Sequence, residues 1–117
     1  MANAGLALVW TQVKTGREGQ ALELFGSTMK YYTQLRERGK IQSFEPVLLQ
    51  AHGGDVNGFV HVRGTEQQID TLRRSDEFRS LTLQCIYCLE GFGIVDAFTG
   101  DELNKMMAEW GQLISKG

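Results

Sequence analysis

His61 and Arg63 stand two residues apart in the segment Phe59-Val60-His61-Val62-Arg63, a spacing that puts both on one face of a strand. A histidine there could carry a proton near neutral pH, and an arginine could hold a carboxylate or an oxyanion. Trp10, Tyr32 and Phe59 are aromatic residues that could supply the apolar wall of a small-molecule site around them. The ordinary alternative is a cross-strand pairing of His61 and Arg63 with acids such as Glu45 or Asp96, which stabilises a sheet without chemistry.

Cys85 and Cys88 lie three residues apart, and two such thiols could share a metal or form a redox pair. Both continue a helical stripe begun by Phe78 and Leu81, and free cysteine packs as a small hydrophobe, so core packing is the expected role and no metal site is expected. His52-Gly53-Gly54-Asp55 could turn backbone amides toward an anion, or His52 and Asp55 toward a metal. Hairpin turn chemistry already accounts for those glycines, and no helix follows them to complete a phosphate site. Met106, Met107 and Trp110 suit a partner-facing or cofactor-facing surface as well as helix packing. Neither a Ser-His-Asp order nor a phosphate loop is legible, and no cofactor is expected.

The elements that would position these residues can be read from periodicity. Leu6 to Val13 is apolar on both alternating faces, as in a strand covered on two sides. Thr15-Gly16-Arg17-Glu18 matches a capping box, and Leu22, Phe25, Met29, Tyr32 and Leu35 then follow at helical spacing until Gly39. Ile41 to Ala51 suits a strand on an edge, because Pro46 has no amide to donate. The loop from His52 to Gly58 predicts a hairpin to Phe59–Arg63. Thr65 to Gln68 repeats the capping box, a break is predicted at Ser75-Asp76, and the helix resumes through Phe78, Leu81, Cys85 and Cys88. Gly91 to Phe98 reads as the last strand, and Thr99 to Glu102 as a third capping box opening a terminal helix.

The resulting order, strand, helix, strand, strand, helix, strand, predicts an α+β, ferredoxin-like βαββαβ domain spanning 1–117 with a four-stranded antiparallel sheet and an extra C-terminal helix. Both core helices then lie on one sheet face. The other face is expected to hold Trp10, Phe59, Phe92 or Val95 and several neighbours, too apolar to leave bare, so a second copy is expected to cover it.

With that order, a length near one hundred residues, and Ser75-Asp76-Glu77-Phe78 at the helix break, the chain resembles the dimeric α+β barrel superfamily. That segment is similar to the Ser-Asp-Pro-Glu-Phe type common there. The superfamily includes antibiotic-biosynthesis monooxygenase-like proteins, heme-degrading enzymes, isomerases and small bacterial proteins without known activity. The resemblance implies a homodimer. It transfers no catalytic residue, because the Asn-Trp-His set of the heme-degrading members has no match in this chain.

A net charge of −2 from 12 basic and 14 acidic residues, with no long block of either sign, argues against nucleic acid as a partner. No run of about 18 apolar residues is present, so no membrane span is expected and the expected compartment is the cytoplasm. The functional expectation is a small, largely apolar molecule bound between sheet and helices or at the dimer interface, touching Trp10, Tyr32, Phe59, His61 and Arg63. Two alternatives carry different chemistry: a cofactor-independent monooxygenase-like enzyme or small isomerase or lyase with His61 as proton carrier, and an interaction module without catalysis.

Overall fold

The computed structural model describes residues 2–116, so Met1 and Gly117, the ends of the expected 1–117 domain, lie outside the described residues. The chain runs β1 (Ala4–Trp10), β2 (Gln12–Val13), α1 (Glu18–Glu37), β3 (Ser43–Leu48), β4 (Gly58–Gly64), α2 (Glu66–Arg74), α3 (Asp76–Cys88), β5 (Leu89–Glu90), β6 (Gly93–Asp96) and α4 (Gly100–Lys116). The four long strands form one antiparallel sheet in the order β3-β4-β1-β6, and β2 pairs with β5 beside it. This α+β arrangement is compatible with a ferredoxin-like fold.

Alternation along β1 and β4 sorts the side chains. Leu6, Leu8 and Trp10 on β1 and Val60 and Val62 on β4 point into a core closed by Tyr32 of α1, Ile69 and Leu72 of α2 and Phe78 of α3. Complete burial of side chains such as Leu6 and Val62, both 0% exposed, stabilises the fold by about 1.5–3 kcal/mol each. Ala7, Val9, Phe59, His61 and Arg63 take the opposite face, with Ala7 beside His61 and Val9 beside Phe59. Trp10 therefore does not share a face with Phe59 and His61 as expected. It is in register with Gly58, one residue before Phe59, and a one-residue offset reverses the face.

The capping predictions divide. At α2, Thr65 Oγ1 accepts from the Gln68 amide at 3.1 Å, and Gln68 Oε1 accepts from the Thr65 amide at 2.8 Å, a complete capping box. The break comes at Ser75, whose hydroxyl accepts from the Phe78 amide and so opens α3. Thr15 does not cap α1. Gly16, at φ 87°, turns the chain left-handed before the helix, and Glu18 Oε1 accepts from the Gly16 amide instead. The α1 stripe is displaced too: Leu24, Thr28 and Tyr32 are buried, four residues apart, whereas Leu22 is 75% exposed.

The last strand is shorter than predicted. Gly91, at φ 64°, bends the chain after β5, and pairing with β1 begins only at Gly93. Helix α4 has no buried residue among those described, and its stripe of Leu103, Met107, Trp110 and Ile114 is exposed. No helix among the described residues is long and apolar enough to cross a membrane.

Candidate functional site

The residues expected to form one site are divided among three places. Phe59, His61 and Arg63 lie on the open sheet face, Trp10 lies under the helices, and Tyr32 is 1% exposed inside the core, where its ring centroid is 5.7 Å from that of Phe44. Burial pushes the Tyr32 phenol far above its usual pKa, so it stays protonated.

On the open face, three rows follow from the register. Val47, Phe59, Val9 and Gly93 make an apolar row; Glu45, His61, Ala7 and Val95 a mixed one; Ser43, Arg63 and Gly5 a polar one. Arg63 is tied to the root of α4: Nη2 meets Glu102 Oε1 at 2.9 Å and Nη1 donates to the Thr99 hydroxyl. Its acid is thus Glu102, while Asp96 pairs with Arg73 at 3.3 Å. The hydrogen bond from Arg63 holds the Glu102 carboxyl below the usual carboxylate range.

His61 leans against Gly5 so closely that a Cβ there would sit 2.9 Å from Nε2. That nitrogen is buried without a hydrogen-bond partner. Desolvation, with the neighbouring Arg63 charge, lowers the His61 pKa from its usual value, outweighing Glu45 and Glu102, which act to raise it. The folded chain therefore favours neutral imidazole, and stability is expected to fall as pH drops below the unfolded-state pKa of about 6.5, levelling off below the folded value. Melting midpoints at about pH 8 and pH 5.5 should differ less in His61→Gln than in the parent; parallel losses would show that His61 is not the group responsible.

Cys85 and Cys88 are free and buried beside Leu24, and burial pushes the Cys85 thiol up to about 11, far from the reactive thiolate range. His52 turns Nδ1 toward the Gln50 carbonyl, 2.8 Å away, within its own loop.

A second place was not legible as a site. A cavity of about 410 Å³ lies between the helix-covered sheet face and α1, within the size range of small-molecule sites. Its walls are Trp10, Leu24, Phe25, Met29 and Phe92, with the exposed Glu18, Leu22, Leu48 and Asn57 toward solvent. Trp10 Nε1 donates to Asn57 Oδ1 at 3.0 Å, fixing the indole as one wall. Of the candidates named from sequence, Trp10 lines this cavity, whereas Tyr32, Phe59, His61 and Arg63 do not. The signal available in the sequence was Thr28, a hydroxyl amid the apolar stripe of α1. A larger groove of about 600 Å³ at the root of α4 is walled by carboxylates, including Glu66, Asp70 and Glu109, and offers little to an apolar guest.

Compared with known proteins, the chain matches no family model and no curated protein.

Proposed function

We propose that the chain is a homodimeric binding protein for a small, largely apolar molecule held in the cavity between the sheet and α1. The observation that carries this reading is the cavity wall: Trp10, Phe25, Met29 and Phe92 present a nearly continuous apolar surface to a space of about 410 Å³. Water in such a space finds few hydrogen-bonding partners, so an apolar guest gains by displacing it.

Naphthalene is a suitable probe, with Trp10 as reporter in a Trp110→Phe background. Saturable quenching of Trp10 emission is expected. It should weaken roughly tenfold or more in Ala21→Phe, which grows a ring into the same space. A signal that never saturates, or one indifferent to Ala21→Phe, would overturn the reading.

A dimer in the manner of the α+β barrels would pair the open sheet faces. Val9, Val47, Phe59 and the half-exposed Val95 support this, as does the uncovered stripe of α4, which a second copy would cover. Light scattering should give twice the 13.1 kDa chain mass, and Phe59→Asp should shift the population toward single chains. A parent protein of single-chain mass at micromolar concentration would exclude the dimer. Proton transfer by His61, the enzymatic alternative, would belong to this interface, because His61 faces away from the cavity.

A further inference from the structure

Thr28 is 8% exposed, lines the cavity, and has a hydroxyl buried without a hydrogen-bond partner. Threonines inside helices normally satisfy that hydroxyl on the carbonyl one turn back, and two others here do so: Thr33 donates to Met29 O and Thr82 to Phe78 O, each at 2.8 Å. Thr28 leaves the equivalent bond unmade. A buried hydroxyl without a partner costs about 1–3 kcal/mol, and valine would fill the same volume without that cost. The other polar groups of the cavity are engaged or peripheral. Trp10 Nε1 is held by Asn57, Asn57 and Glu18 are exposed, and the Cys85 thiol is a weak partner.

We infer that Thr28 is the cavity's hydrogen-bonding anchor and that the guest is a flat aromatic molecule carrying a hydroxyl or carbonyl oxygen. This assignment rests on the binding function proposed above. The aromatic walls Trp10, Phe25 and Phe92 offer ring faces and edges to a planar guest. The threonine hydroxyl both donates and accepts, so it serves a phenol or a ketone. A helical threonine has two favoured χ1 settings, and exchange between them swings Oγ1 toward an arriving oxygen.

The test compares 2-naphthol with naphthalene, two probes of one shape that differ by one hydroxyl, by Trp10 emission and calorimetry. In the Trp110→Phe parent, 2-naphthol should bind roughly threefold to tenfold more tightly. Without a partner the extra hydroxyl would instead weaken binding, since burying it unpaired is unfavourable. Thr28→Val should abolish or reverse the preference for 2-naphthol over naphthalene, and Thr28→Ser should restore it. Unliganded Thr28→Val should melt no lower than the parent, because it removes an unpaired hydroxyl. A parent that prefers naphthalene, or a preference that survives in Thr28→Val, would overturn the anchor while leaving the cavity as a binding site. Failure of both probes in the parent would remove the cavity reading and the anchor with it.

Discussion

Truncating Tyr32 to alanine is expected to destabilise the chain by about 3–5 kcal/mol, the range for deleting a large buried aromatic side chain. Tyr32 is 1% exposed and packs where α1 crosses the sheet, with Phe44 at 5.7 Å and Tyr31 at 5.3 Å between ring centroids. No wall could relax into the void without moving the helix, so the cavity term adds to the lost transfer energy. In a domain of this size the melting midpoint should fall by about 12–20 °C. Urea unfolding with circular dichroism measures the effect. A loss below about 1 kcal/mol would place Tyr32 at a collapsible margin. Weaker naphthalene binding in a fully stable variant would return Tyr32 to the role of a ligand contact.

The second large effect is expected at Gly58. Its backbone is not left-handed; what it lacks is room. A Cβ would lie 2.7 Å from the Val47 carbonyl oxygen and 2.8 Å from Trp10 Cζ2. Gly58→Ala must push against a strand backbone on one side and the indole on the other, so an overpacking cost of about 1–3 kcal/mol is expected. Displacing the indole also breaks its bond to Asn57 and shifts one wall of the cavity, so naphthalene affinity should fall together with stability. Gly53→Ala is the informative contrast. Gly53 has open space around it and φ 81°, so its substitution strains the loop locally and should leave binding unchanged. Equal binding losses in both variants would show that the loop, and not the indole, controls the cavity.

Gly58 also illustrates what could be read in advance. Asn57-Gly58 looked like turn chemistry, and a hairpin does connect β3 to β4, but the glycine serves the close passage of Trp10. Such an approach joins residues of β1 and β4 far apart in the chain, which local patterning does not encode. Element order and the helix break at Ser75 were legible because they depend on neighbours three or four residues away. The grouping of Trp10 with His61 failed for the opposite reason. Apolar residues fill both sides of β1, so alternation alone does not reveal which side meets the helices, and only cross-strand register with Gly58 decides it. The cavity was illegible for a related reason, since its walls come from α1, the β-strands and the segment around Phe92, brought together only by the fold.

Helix α4 is moored at its start, where Arg63 bonds Thr99 and Glu102, and its later turns carry an exposed apolar stripe through Met107 and Trp110. A helix of 17 residues is marginal alone in water. In the proposed dimer a second copy covers Met107 and Trp110, so winding of α4 should follow protein concentration: dilute chains would let its last turns unravel and concentrated ones would keep them coiled. Proteases would then find their first cut in the tail, at a rate set by how many chains are present rather than by how firmly the sheet is built.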